Sequence, residues 1–212
     1  MDAMKKRFAL AMLAAIALAG CQNKELGVLV AESLPFLGTT ESFDADTKTT
    51  LEDGRVLWRR GDQVSIFAGR TLNERYQVTD ESEGQASAAF NVVSAPGFVS
   101  STDISNNVSF YPYASDNAIA PNVAVYELST KLPAVQQYAE DSFGPGAFPM
   151  TSVTSSTSDY NLKFKNVLGG VKLQLKGDAK IASISITGNA DEVLYGAAKV
   201  TVESGGDCPK SN

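Results

Sequence analysis

Few side chains in this sequence are suited to chemistry, since it contains no histidine and only two cysteines, Cys21 and Cys208. No side chain other than histidine titrates unperturbed near pH 7. Catalytic triads with a histidine base, His-x-x-x-His zinc sites and imidazole proton shuttles are therefore excluded. Gly-rich phosphate loops of the Walker or dinucleotide type are also missing from the sequence. We therefore expect a protein that is not an enzyme and that needs no cofactor or metal.

The sequence before Cys21 predicts secretion. Lys5, Lys6 and Arg7 form a positive segment, which an uncharged apolar run at 8–19 follows. That run is too short to cross a bilayer, which takes about 20 apolar residues, and it is typical of a removable signal peptide. Leu18-Ala19-Gly20-Cys21 resembles the lipobox of bacterial lipoproteins, in which the cysteine thiol receives a diacylglycerol group and signal peptidase cuts just before it.

Residues 1–20 are accordingly expected to be a lipoprotein signal peptide, and Cys21 the lipidated first residue of the mature chain. Two or more acyl chains are enough for stable anchoring to a membrane surface. The alternative is an ordinary secretory signal in which the cysteine occurs by chance. With Cys21 lipidated, Cys208 has no intramolecular partner, so no disulfide framework is expected.

Charge also limits the partners of the protein. Removal of residues 1–20 takes away three positive charges and one negative charge, so the net charge of −6 becomes −8. An acidic balance of this kind argues against nucleic acid or anionic lipid as a partner.

Apolar and polar residues alternate in several segments, which predicts half-buried β-strands. The residues expected to face inward are Val64, Ile66, Val171, Leu173, Leu175, Ala182, Ile184, Ile186, Ala198, Val200 and Val202. Less regular strand candidates lie at 26–30, 76–79, 86–93, 108–113, 123–130 and 161–164. Glycine, proline and asparagine turns separate these segments, and outside the signal peptide none keeps helical spacing for three turns. Many short strands predict an all-β sandwich or barrel.

One stretch, 137–158, does not fit the strand pattern. It carries Gly144, Pro145, Gly146 and Pro149, and then seven Ser or Thr residues between Thr151 and Ser158. We interpret it as an extended surface loop. A loop of this length is usually functional or mobile, and a solvated connector is the plainer alternative.

Three groups of residues, in this order and behind a lipobox, resemble fimbrillin-like proteins of Bacteroidetes. They are Thr47-Lys48-Thr49 within 43–49, then Trp58 with 61–67, and finally 164–175 followed by 181–186 and Leu194-Tyr195-Gly196. The resemblance covers most of residues 40–202. It implies a transthyretin-like antiparallel β-sandwich, in a family whose members have two such domains and serve as stalk, tip or anchor subunits of fimbriae.

The resemblance also implies a domain organisation. Residues 21–35 are expected to be a lipidated tether, 36–176 the N-terminal fimbrillin-like sandwich, and 177–212 its final strands or the start of a truncated second β domain. No segment beyond Glu203 is expected to pair with the strand at 198–202, which would leave an unfinished sheet edge.

The function that the resemblance implies is that of a surface lipoprotein at the outer membrane, acting as a fimbrial subunit or as a fimbria-associated adhesion or anchor protein. Its partners would be the membrane through the lipid, other fimbrial subunits by β-strand addition, and surface ligands of host or bacterium. The alternative is a stand-alone glycan-binding lipoprotein of a polysaccharide-uptake system. Such a module should present two or three aromatics on one platform, and the candidates are Tyr111, Tyr113, Tyr126, Tyr138, Phe143 and Phe148.

In stalk subunits of the family, an arginine-specific protease removes an N-terminal strand. Arg55, Arg59 and Arg60 are the basic residues nearest to that strand here, and they are the candidate processing sites. Arg55 follows Asp53-Gly54, a turn that a protease can enter. The alternative is that all three arginines are ordinary surface charges.

Two further sets of residues have a structural and a functional interpretation. Trp58 is the only tryptophan, and a core position with a locally bonded N–H is favoured over stacking on a sugar. Asp44, Asp46, Asp53 and Asp62 do not have the spacing of a calcium loop, and a solvated acidic face is the favoured interpretation.

Overall fold

The computed structural model describes residues 35–41, 56–94, 100–122, 125–139, 143–171, 173, 175–190, 192–203 and 210–211. These residues contain no α-helix and a single 3-10 turn at Asp80–Ser82. The all-β class is therefore confirmed. The strands are β1 (Phe36–Thr40), β2 (Gln63–Arg70), β3 (Glu74–Val78), β4 (Ser87–Ser94), β5 (Asp103–Tyr111), β6 (Ala118–Asn122), β7 (Val125–Leu132), β8 (Met150–Val153), β9 (Asn161–Asn166), β10 (Gly196–Glu203) and β11 (Lys210–Ser211).

Seven strands form a closed barrel in the order β1-β4-β3-β2-β5-β8-β9. Neighbouring strands in it are antiparallel, except that β9 runs parallel to β1 and closes the barrel there. The expected architecture was purely antiparallel, so this pairing is a difference from the prediction.

The other four strands form a second sheet in the order β11-β10-β7-β6. β10 pairs with β7 along its whole length, from Gly196 opposite Leu132 to Glu203 opposite Val125. On its other side, β10 pairs with β11 at Val200 and Thr201. The expectation that no segment beyond Glu203 pairs with this strand was therefore wrong.

Two hydrophobic cores hold the sheets together. The first fills the barrel, and its largest members are Trp58, Phe90, Phe164 and Phe36. The second lies between the outer face of β2 and β5 and the four-stranded sheet; its members are Phe67, Ile104, Val108, Phe110, Ile119, Tyr126, Leu128, Val200 and Val202. The barrel and the sheet therefore pack as a sandwich.

Strand β2 is buried on both faces because it contributes to both cores. Ile66 faces the barrel core, and its neighbour Phe67 faces the second core. Ser65 is fully buried, and its Oγ accepts a hydrogen bond from Asn117 Nδ2 at 3.0 Å. A buried polar group needs such a partner, so Asn117 allows a serine in a strand covered on both sides.

The described residues at 171–175, which are 171, 173 and 175, and those at 182–186 do not lie in strands, although their alternation predicted strands. Their apolar side chains are exposed, with Val171 79% and Ile186 66% accessible. The prediction that Val171, Leu173, Leu175, Ile184 and Ile186 face inward was wrong. Strand β7 is paired with another strand on each side, and so is β10 at Val200 and Thr201. The described residues at 171–175 and 182–186 are therefore not paired with β7, or with β10 at these two residues.

The stretch 137–158 is only partly a loop. β8 lies within it and pairs with β5 and β9, and Met150 of β8 is buried in the barrel core. The predicted turn at Gly144-Pro145-Gly146 is present.

Candidate functional site

Strand β1 occupies a slot between β4 and β9. Phe36 lies opposite Phe90 of β4, and Leu37 lies opposite Asn161 of β9. The Phe36 ring is 2% exposed and meets Tyr76 edge-on, with ring centroids 5.4 Å apart. Leu37 points outward and is half exposed. One short strand therefore closes the barrel on both sides through main-chain hydrogen bonds.

Gly38 lets β1 lie close to the aromatic core. A Cβ at this position would overlap with Phe90 Cε2 and would lie 2.9 Å from Phe164 Cε2. Real Cβ atoms essentially never approach so closely, so only glycine fits between these rings. Phe36 and Gly38 are the two buried residues of β1. Only one of them has an apolar side chain, so the sequence signal for this strand is weak.

The chain re-enters the barrel at Trp58. Thr40 Oγ1, at the end of β1, donates a hydrogen bond to the Val56 carbonyl at 2.7 Å. The backbone N–H of Trp58 donates to Gln85 O at 2.9 Å, and the backbone carbonyl of Trp58 accepts from Gly84 N at 2.8 Å. Trp58 is therefore held independently of β1. The residues that join β1 to it, 42–55, lie outside the described part of the chain.

The Trp58 indole is a core residue, as predicted. It is 1% exposed and makes edge-on contacts with Phe90, Tyr111 and Phe164 at 5.1, 5.6 and 5.2 Å. Its Nε1 has no hydrogen-bond acceptor among the described residues, so the expected local bond of the N–H is not observed.

Arg59 and Arg60 lie in a tight turn that leads into β2. Asp62 N donates to Arg59 O at 3.0 Å, and the Arg59 N–H donates to Asp62 Oδ2 at 2.8 Å. The Arg60 guanidinium forms ion pairs with Asp80 at 3.5 Å and Glu83 at 3.3 Å. Both ends of the turn are bonded, so the backbone at these arginines is not in the extended form that a protease cleft binds.

Asp62 is half-buried behind this turn and is not part of a solvated face. The Tyr111 hydroxyl donates to Asp62 Oδ1 at 3.0 Å and accepts from Gly146 N at 3.2 Å. Burial is the largest influence on the carboxyl and raises the pKa of Asp62 from its ordinary value, against the lowering effect of its hydrogen bonds. Burial and the nearby carboxylate also raise the pKa of Tyr111.

Large apolar side chains are exposed along 171–195. They are Val171, Leu173, Leu175, Ile181, Ile184, Ile186, Val193, Leu194 and Tyr195, each at least half accessible. Single exposed apolar residues are ordinary, but many of them along one stretch of chain make a candidate interaction site. We call the described residues of this stretch up to Ile186, which are 171, 173 and 175–186, the exposed segment.

The six aromatics named as a possible binding platform do not form one. Tyr111, Tyr126 and Phe148 are buried. Phe143 stacks on Phe148 with centroids 4.2 Å apart. Tyr113 lies under the Arg75 guanidinium at 5.6 Å, which leaves Tyr138 as the fully exposed member.

Several predicted residues lie outside the described part of the chain. They are Cys21 with the signal peptide and most of the tether, Arg55, Cys208, Asp44, Asp46 and Asp53. Within the described ranges, no group of three or more Cys, Asp or Glu side chains is placed to hold a metal ion. The same ranges contain no helix with the length and apolar character of a membrane span.

Comparisons with known proteins identify no relative. No family model, no curated protein and no solved structure matches the chain. Its function must therefore be argued from the arrangement of its own residues.

Proposed function

We propose that the protein is a surface-exposed lipoprotein of the fimbrillin-like type, a fimbrial subunit or a fimbria-associated adhesion or anchor protein without catalytic activity. In this proposal Cys21 carries the lipid that holds the mature chain on the outer membrane. The sandwich corresponds to a transthyretin-like domain, and the partners are other fimbrial subunits and surface ligands.

The exposed segment is the observation that carries this proposal. Leu173, Leu175, Ile184 and Ile186 are 52%, 55%, 53% and 66% accessible, although they alternate with polar residues as in a half-buried strand. In β-strand addition, main-chain hydrogen bonds give affinity and alternate side chains enter pockets of the partner. Such a partner would bury the apolar side of this segment.

The slot of β1 supports the same role. β1 is held by pairing with β4 and β9 and by the insertion of Phe36. In a stalk subunit, a cut between Thr40 and Trp58 would leave Trp58 bonded to the barrel and free β1 to depart together with the lipid on Cys21. The edges of β4 and β9 and the Phe36 position would then accept a strand from another subunit. An anchor subunit would stay uncut and keep its lipid.

Paired charge substitutions in the exposed segment test the assembly role. Ile184→Lys introduces a charge on the apolar side of the alternation, and Ser185→Lys introduces the same charge on its polar side. We expect Ile184→Lys to abolish self-association or incorporation into fimbriae, while Ser185→Lys assembles like the wild type. Sedimentation velocity and the fimbrial content of cells measure this. Equal assembly of both variants would exclude the segment as the contact.

Replacement of the cysteine tests the anchor. Cys21→Ser should be released from the membrane fraction and should lack the acyl mass on its N-terminal peptide, because serine has no thiol for the diacylglycerol. Cys208→Ser is the control and should stay lipidated. A Cys21→Ser protein that has lost residues 1–20 and still remains in the outer-membrane fraction would show that the lipid is not the anchor.

A further inference from the structure

A depression of about 570 Å³ lies beside the start of β1, where the loop that follows β8 meets β9. Its apolar lining residues are Pro35, Leu37 and Tyr160. Its polar lining residues include Ser156, Ser158 and Asn161, which we call the polar rim. A lining of both kinds suits a ligand that has an apolar face and polar edges.

The polar rim is held in place by two buried asparagines of β5. Asn106 is 5% exposed and donates to Thr154 O at 2.7 Å. Asn107 is 2% exposed, and its Nδ2 donates to Thr157 O at 3.2 Å and to Asp159 O at 2.8 Å. The Ser/Thr-rich loop is therefore preorganised, which lowers the entropy lost when its hydroxyl groups bind a ligand.

The aromatic ring in the depression is also fixed. Tyr160 packs against Phe36 with ring centroids 5.2 Å apart, and its carbonyl accepts a hydrogen bond from Leu37 N at 2.9 Å. About a third of Tyr160 stays accessible. It was not among the aromatics that the sequence suggested for a binding platform.

The charge in the depression disfavours an anionic ligand. Asp159 Oδ1 accepts from Asn161 N at 3.0 Å, and Oδ2 accepts from Ser155 Oγ at 3.0 Å. These hydrogen bonds, the one from Asn161 N first, lower the pKa of Asp159, so its carboxylate stays charged and repels anions. None of the described residues that line the depression is a lysine or an arginine.

We propose that this depression binds a neutral saccharide, with the Tyr160 ring against the C–H face of a pyranose and with Ser156, Ser158 and Asn161 bonded to its hydroxyl groups. Sugars combine an apolar ring face with polar edges, which matches the apolar and polar lining residues of the depression. The site is shallow, so the affinity is expected to be roughly millimolar. The proposal uses none of the exposed segment. Because Pro35 and Leu37 line the depression, it applies to the chain that retains β1.

Titrations of the mature chain followed by amide NMR test the proposal. The probes are maltohexaose, cellohexaose and mannohexaose, with hexagalacturonate as the anionic counterpart. At least one neutral hexasaccharide should shift the amide signals of Ser156, Ser158, Tyr160 and Asn161 in a saturable way, and hexagalacturonate should not. Tyr160→Ala should weaken binding by about tenfold, because it removes the aromatic face.

Two further variants keep the test decisive. Tyr138→Ala removes an exposed tyrosine elsewhere and should bind like the wild type. Asn161→Ala removes a rim amide at an exposed position without touching the Phe36 contact, so it should also weaken binding. It supplies the test if Tyr160→Ala proves unstable. The proposal is overturned if no neutral probe shifts these signals, if hexagalacturonate binds as well, or if both site variants bind unchanged.

Discussion

The Tyr111 hydroxyl donates a hydrogen bond to Asp62 Oδ1 at 3.0 Å, and this bond joins the turn before β2 to the inner face of β5. The same hydroxyl accepts from Gly146 N, so one tyrosine ties the Arg59–Asp62 turn to the Gly144-Pro145-Gly146 turn. Two loops far apart in the sequence are thus coupled through one tyrosine hydroxyl group.

We expect Asp62 to make stability fall as pH rises above 3.8, its ordinary pKa. A raised pKa in the folded state means that the folded protein holds the proton more tightly than the unfolded chain does. Stability from this group is therefore full below the unfolded pKa and is lost as pH rises through the folded pKa. The difference in unfolding free energy between wild type and Asp62→Asn, from urea titrations across this range, should decrease accordingly.

Asp159 provides a control with the opposite sign. Hydrogen bonds lower its pKa, so its contribution is present above the unfolded pKa and is lost as pH falls through the folded pKa. The stability difference between wild type and Asp159→Asn should therefore grow as pH rises towards 3.8 and level off above it. The same slope for both variants would contradict the placement of Asp62 behind the turn.

Leu162 and Leu173 differ in burial, since the first lies in the core and the second in the exposed segment. Leu162 of β9 is fully buried, whereas Leu173 is 52% accessible. Leu162→Ala should cost about 2–5 kcal/mol of unfolding free energy because it leaves a cavity in the barrel. Leu173→Ala should change it by less than about 0.5 kcal/mol in the unassembled protein. Chemical denaturation measures both, and a large loss for Leu173→Ala would place that side chain in a core.

The contrast between these leucines shows what the sequence could predict. Alternation correctly located β2 and β10, whose apolar residues are covered by another layer. The same alternation at 171–186 predicted strands that the described structure does not contain, because a pattern shows which side needs cover and not whether cover is present. Whether a segment forms a strand depends on which other residues pack against its apolar side.

Strands β1, β6 and β8 were not predicted from the sequence, for physical reasons. β1 has one large inward side chain, Phe36, and its other inward residue is Gly38. β6 contains Pro121, which argues against a strand unless it lies at a sheet edge, as β6 does. In β8, the Ser/Thr-rich composition hid a strand whose Met150 reaches the core. The depression beside β1 was missed because it is built from β1 and a loop that are distant in sequence.

Gly38→Ala should destabilise the barrel by about 1–3 kcal/mol, the usual cost of overpacking a tight core. The added Cβ would overlap with Phe90 and crowd Phe164, so β1 would have to move outward. Gly169→Ala is the matched control, since a Cβ there meets no atom within 4 Å. Thermal unfolding of both variants checks the prediction. Equal stability would show that β1 does not pack against these rings.

Proteolytic processing is expected to select Arg55 over Arg59 and Arg60. Proteases bind extended backbone, and the Arg59–Asp62 turn is closed by hydrogen bonds at both ends. Digestion of the folded protein with an arginine-specific protease should give a first product that begins at Val56, as read by mass spectrometry. Arg55→Lys should prevent this cut, and Arg60→Lys should not. A first product that begins at Arg60 or Gly61 would mean that the turn opens readily and that its hydrogen bonds do not protect these arginines.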